Sequence, residues 1–104
     1  MKSSTPTYAD IYSGGSHIVK FGSPACPPCV QMAPHFEKLS EDPRFKNVKF
    51  WDVDASDINN AQIISALSIR SVPVVLCVKD GTNLRILTGA TSKEALESAL
   101  KELT

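Results

Sequence analysis

Two cysteines three positions apart, Cys26-Pro27-Pro28-Cys29, stand directly after the apolar run Ile18-Val19-Lys20-Phe21 and directly before a segment whose apolar residues recur at helical spacing. That placement constrains the fold more than any other feature, because it needs a strand to deliver the pair and a helix to carry it. Residues three apart at a helix start share one face, roughly 5 Å from each other, so the two sulfurs are within bridging reach. Unpaired backbone N–H groups and the positive end of the helix dipole converge on the first cysteine and favour its thiolate. Cys26 is therefore expected to be the nucleophile. Its attack on a disulfide gives a mixed disulfide, and Cys29, one turn inward, resolves it by attacking Cys26 and releasing the reduced partner. The chain is then oxidised and requires a reductant.

The rest of the chain supplies alternating strands and helices. Tyr8 to Tyr12 reads as a short helix and Ser13-Gly14-Gly15-Ser16 as a loop; Gly22-Ser23-Pro24 ends the first strand. From Pro27 to about Glu41, Met32, Ala33, Phe36 and Leu39 mark a helix, with Pro27 suited to its first turn and Pro34 expected to kink it. Val48 to Val53 is the next strand. Asp57 to Leu67 is expected to be a helix with Ile58, Ala61, Ile64 and Leu67 as its apolar positions. Pro73 to Lys79 and Leu84 to Leu87, joined by Asp80-Gly81, form a β-hairpin. A last helix follows, its start marked by Thr91 with Glu94 three residues on as a capping box, and Ala95, Leu96, Ala99, Leu100 and Leu103 as its stripe.

Length and composition narrow the class. With 104 residues the chain is expected to form a single domain, 1–104, and its 11 acidic and 11 basic residues give no charge excess that would suit nucleic acid or a membrane surface. No run approaches the roughly 20 apolar residues of a membrane span. Three cysteines are too few, and odd in number, for a secreted disulfide framework, so a cytoplasmic location is expected. Cys77, inside Val74-Val75-Leu76-Cys77-Val78, reads as a small core residue.

These motifs, taken in order, resemble the thioredoxin family over nearly the whole chain. Phe21 with the cysteine pair, Met32-Ala33-Pro34, Asp52-Val53-Asp54, Ser71-Val72-Pro73, Lys79-Asp80-Gly81 and Thr88-Gly89-Ala90 carry the likeness. The resemblance implies an α/β fold with a central mixed β-sheet flanked by helices on both faces. It also implies a cis peptide before Pro73 and a loop there that packs against the cysteines. Disulfide-containing proteins would be the substrates and a thioredoxin reductase-like donor the source of electrons, with no cofactor and a monomer expected. Pro27, Pro28, Val72, Pro73, Gly89 and Ala90 would form the apolar docking patch.

Four departures from the family pattern stand out. Ala25 and Gly22 occupy positions where aromatic residues are usual, which opens the rim. Pro27 removes an N–H that could have faced the Cys26 sulfur. Lys20 stands where an acidic residue usually lies beneath the cysteines. A buried ammonium is costly unless paired, so Asp52 on the neighbouring strand is its expected partner, and the two are candidate tuning residues. The short N-terminal segment is expected to lack a first edge strand.

Other functions remain open at this point. The same fold supports a disulfide oxidase or isomerase, with redox poise deciding the direction, and a binding module in which the dithiol is incidental. A Cys-X-X-Cys is also half of a zinc site, but no second ligand pair has suitable spacing, so no metal is expected. His35 is expected to be a solvated helix residue, His17 a strand-edge one, and Trp51 a packing residue. Asp52, Asp54 and Asp57 are expected to cap and solvate.

Overall fold

Every residue of the strand Ser16–Gly22 (β1) except Ser16 is buried, and the architecture follows from that. A strand covered on both faces must lie inside a sheet with helices above and below it. The computed structural model describes residues 5–104 and has that form. Its elements in order are α1 (Tyr8–Tyr12), β1, α2 (Pro27–Ser40), β2 (Val48–Asp54), α3 (Ala61–Ala66), β3 (Val74–Lys79), β4 (Thr82–Thr88) and α4 (Lys93–Leu103). The sheet order is β2-β1-β3-β4, with β1 parallel to β2 and antiparallel to β3, and β3 antiparallel to β4. It is a mixed sheet flanked by helices on both faces, as the family resemblance implies.

Alternation along the strands divides the core in two. Ile18, Phe50, Val75 and Cys77 face α2 and α4, packing on Met32, Phe36, Leu39, Leu96, Ala99, Leu100 and Leu103. Val19, Phe21, Trp51, Val53, Val74, Leu76 and Val78 face the other side, under Ile11 of α1 and Ile63 of α3. The cover is uneven. Helices of 14 and 11 residues protect the first face, whereas α1 and α3 have 5 and 6. Ile86 of β4 is left 61% exposed on the thinly covered side, beside a hollow of about 440 Å³ walled by Tyr8, Tyr12 and Leu67.

Local chemistry sets the ends of these elements. α2 continues through Pro34 to Ser40, about three turns on from Cys29. Asp80 and Gly81, at φ 49° and 81°, both adopt the left-handed conformation that a two-residue hairpin turn requires. A side chain at Gly81 would also press on the Tyr12 carbonyl, 3.1 Å from where its Cβ would lie.

Three expectations need correction. The segment from Asp57 to Leu67 is not one helix. Asp57 caps a single 3-10 turn, Ile58–Asn60, by accepting the Asn59 N–H, and buried Asn60 donates its amide to the Asp54 carbonyl at 2.8 Å. That anchoring restarts the helix at Ala61, so Ile63 turns inward while Ile58 is 83% exposed. α4 begins one residue later than expected: Ser92 is its N-cap and accepts the Ala95 N–H, while Thr91 donates its hydroxyl to the Gly89 carbonyl. Ala95 consequently faces solvent. His17 is not at a strand edge, since β1 is internal to the sheet. It is 1% exposed, accepts the Trp51 indole N–H at Nδ1 (3.1 Å), and therefore donates from Nε2 to the Gly14 carbonyl (2.8 Å).

Among the described residues no strand precedes α1. The expectation of a missing first strand otherwise concerns residues 1–4, which lie outside the described residues.

Leu100 is fully buried between α4 and the sheet. Truncating it to Ala should lower the unfolding free energy by about 2–5 kcal/mol, through lost burial and the cavity left behind. A shift in the urea or guanidinium midpoint with an unchanged slope would measure this.

Candidate active site

The two prolines decide how the helix start meets the sulfur. An α-helix leaves its first N–H groups without helical partners, but Pro27 and Pro28 at the first two positions have none to offer. The first available donor is therefore the N–H of Cys29, and it points to Cys26 Sγ at 3.3 Å. Cys26 is the N-cap residue, with its sulfur acting where a serine or aspartate oxygen normally would. Behind it the chain is pinned by the Cys26 N–H donating to the Ser23 carbonyl and the Ala25 N–H donating to the Ser23 hydroxyl. The sulfurs are bonded as a disulfide with the Cα atoms 5.2 Å apart. Cys26 is half-buried, whereas Cys29 is 3% exposed.

Beneath Cys29 the register of the parallel strands places charge in the core. Lys20 is paired in register with Asp52, and alternation turns both side chains toward α2. Their ion pair is 3.4 Å long, with the Lys20 side chain 5% exposed and that of Asp52 32%. The ammonium also lies 5.7 Å from the centre of the Phe36 ring. The next register pair on the same face is Gly22 with Asp54. A Cβ at Gly22 would sit 3.3 Å from Cys29 Cβ, 3.4 Å from its sulfur and 3.5 Å from Lys20 Cε, so glycine lets the helix start close down on β1. Lys20, Gly22, Cys29, Ala33, Asp52 and Asp54 line a cavity of about 220 Å³ that opens beside exposed Val30.

The loop before β3 completes the rim. The Val72-Pro73 peptide is cis, and the Gly89 N–H donates to the Pro73 carbonyl at 2.9 Å, which holds the end of β4 against that loop. Pro28 and Ala90 line one shallow hollow of about 540 Å³ together with His35. Pro27 and Ala90 are exposed, Val72 and Gly89 half-buried, and Pro73 buried.

Residues 6–102 match the sequence profile of one family, described as thioredoxin. The chain belongs to the thioredoxin family. A thioredoxin of Aspergillus fumigatus is 33% identical over 87 residues, 84% of this chain and 76% of that protein. The thioredoxin of Bacillus subtilis is 29% identical over 104 residues, 98% of this chain and 95% of its own. Among solved structures, spinach chloroplast thioredoxin f superimposes with a TM-score of 0.80 at 26% identity, covering 99% of this chain and 93% of that one. Plasmodium falciparum thioredoxin gives 0.79 at 25% identity, with both chains covered completely. Thioredoxins are protein-disulfide oxidoreductases. With the Cys26–Cys29 pair in place, this chain is a thiol-disulfide oxidoreductase of the thioredoxin fold.

Several residues around the site carry signals that the sequence pattern did not convey. Gly22 read as the end of a strand and as an opening of the rim, but not as the residue that lets Cys29 approach β1. His35 is exposed on α2, but it shares the hollow of Pro28 and Ala90. Asp54 and Asp57 serve local structure as expected. Asp54 accepts from the hydroxyl and N–H of Ser56, which hold its carboxyl below the usual carboxylate range. No group of three or more His, Cys, Asp or Glu side chains suited to a metal ion converges among the described residues. No helix among them is long and apolar enough to cross a membrane.

Cys77 is fully buried on β3, and burial pushes its thiol up from 9.0 to about 12, with nearby Glu102 adding to the shift. The unfolded chain gives up this proton first, so Cys77 adds stability below pH 9 that is lost as pH rises toward 12. Replacing Cys77 with Ala should flatten the decline of unfolding free energy across that alkaline range, measured by denaturant unfolding at successive pH values.

Proposed function

We propose that this protein is a protein-disulfide reductase in which Cys26 is the nucleophile and Cys29 the resolving thiol. The observation that carries the assignment is the unequal exposure of the two sulfurs. Cys26, at the rim, can meet a disulfide from outside, whereas Cys29, at 3% exposure, can reach only Cys26. Reduction begins as the Cys26 thiolate, steadied by the Cys29 N–H, attacks one substrate sulfur and displaces the other as a thiolate. Cys29 then attacks Cys26, the Cys26–Cys29 bond forms, and the second substrate sulfur leaves. Two electrons have moved from the dithiol to the substrate.

Pro27, Pro28, Val72, Pro73, Gly89 and Ala90 are the proposed docking patch. The Gly89–Pro73 hydrogen bond and the hollow shared by Pro28 and Ala90 support its continuity. An extended substrate would lie along it mainly by backbone pairing at Val72, which makes for broad specificity. The proposed setting is a monomer of one domain, 1–104, in the cytoplasm, recycled by a thioredoxin reductase-like donor. The buried positive charge of Lys20 favours a second reading, a more oxidising disulfide oxidase or isomerase.

Reduction potential separates the two. Equilibrating the protein with glutathione or dithiothreitol and counting alkylated thiols by mass should give a value near the about −270 mV typical of thioredoxin; about −180 to −120 mV would instead establish the oxidising reading. Cys29→Ser should accumulate a mixed disulfide through Cys26, visible by mass, while Cys26→Ser should form none. Ala90→Glu, an exposed position, should raise KM for a protein disulfide about tenfold while leaving thiol titration unchanged, since a desolvated charge weakens docking without touching the sulfurs.

A further inference from the structure

Lys20 is the one charged side chain among the buried residues described, and the exchange steps above do not use it. A cation removed from water persists only where something returns the lost solvation. Asp52 supplies part of that at 3.4 Å, and the face of Phe36 at 5.7 Å supplies more. The remaining neighbour is the redox site. Lys20 Cε and Cys29 Sγ flank the same vacant Cβ position of Gly22, and both side chains line the cavity of about 220 Å³. The groups facing Cys29 can be named from each packed element. They are Lys20 from β1, Asp52 and Asp54 from β2, and Cys26 from its own helix start, while Val75 of β3, the register neighbour of Lys20, is apolar. Asp54 is engaged by Ser56, which leaves Lys20 and Asp52 as the adjustable charges.

We infer that the Lys20 ammonium, paired with Asp52 under the active site, selectively stabilises the thiolate of Cys29 and thereby speeds release of the mixed disulfide. This rests on Cys29 being the resolving thiol. In the step concerned, Cys29 gives up its S–H proton to solvent through the cavity that Asp52 borders. Its thiolate then attacks Cys26 Sγ, the Cys26–Cys29 bond forms, and the bond between Cys26 and the substrate sulfur breaks. The electron pair departs on that sulfur, which is protonated from solvent. Lys20 opposes the cost of forming an anion at a site only 3% exposed, and the Asp52 carboxylate beside it moderates that positive charge.

The two partners should therefore act in opposite directions. In a Cys26→Ser background Cys29 titrates as the single site thiol, since Cys77 stays protonated up to about 12. Followed by thiolate absorbance, Lys20→Met should reduce the thiolate fraction at a given pH about tenfold, and Asp52→Asn should increase it. With Cys26 intact and loaded with thionitrobenzoate as a mixed disulfide, Lys20→Met should slow release of that chromophore about tenfold. Lys20→Arg should restore most of the rate. Shifts of the same sign in the Lys20→Met and Asp52→Asn proteins, as general loosening would produce, overturn the inference, and so does an unshifted Lys20→Met titration. Should Lys20→Met fail to fold, Asp52→Asn and Lys20→Arg decide alone, because the inference requires more thiolate in the first and little change in the second. Failure of the wild-type dithiol to reduce a protein disulfide would instead count against the reductase assignment, whatever the titrations give.

Discussion

The fold depends on β1 being an internal strand covered from both sides. Because β2 and β3 flank it and helices lie above and below, every residue from His17 to Gly22 is committed to the interior whatever its chemistry. Apolar residues meet that constraint by packing. His17 meets it by bridging the Gly14 carbonyl and the Trp51 indole, and Lys20 by pairing with the residue beside it in register. Gly22 meets it by having no side chain, which brings Cys29 down onto the strand. The end of one strand thus sets both the electrostatics and the closeness of the redox pair.

On the proposed docking mode, the active site is divided between a face for contact and a face for insulation. Its outer rim consists of prolines, a valine, a glycine and an alanine, with few groups that could discriminate between partners by hydrogen bonding. Its underside holds a charge pair between the sheet and α2, where the low polarity of the core amplifies the effect of charge on a nearby sulfur. On that proposal, partner choice and thiol chemistry fall to different residues.

The alternation of elements and the cysteine pair were legible because they depend on short-range periodicity and on spacing of three. The Lys20–Asp52 pair was legible too, since neighbouring strands and the cost of a lone buried ammonium leave little choice of partner. The break at Asn60 was not, because it comes from a side-chain amide reaching the Asp54 carbonyl, and propensity along 57–67 reads as continuous helix. The start of α4 moved by one residue because Ser92 is an N-cap at least as good as Thr91, whose hydroxyl is drawn instead to the Gly89 carbonyl. Burial of His17 and the tight approach at Gly22 depend on strand order and on helix placement, which no local window contains.

Sealing Cys77 inside β3 has a consequence for electron accounting. A third accessible thiol could attack the Cys26–Cys29 bond and pass the disulfide to a wrong pairing, leaving a chain that carries oxidising equivalents where no partner can collect them. Protonated and without solvent access, Cys77 is a spectator to exchange. The folded protein is accordingly a two-electron carrier of fixed stoichiometry, and that stoichiometry is a property of the packing: in the unfolded chain the three sulfurs are chemically equivalent and any pair of them can join.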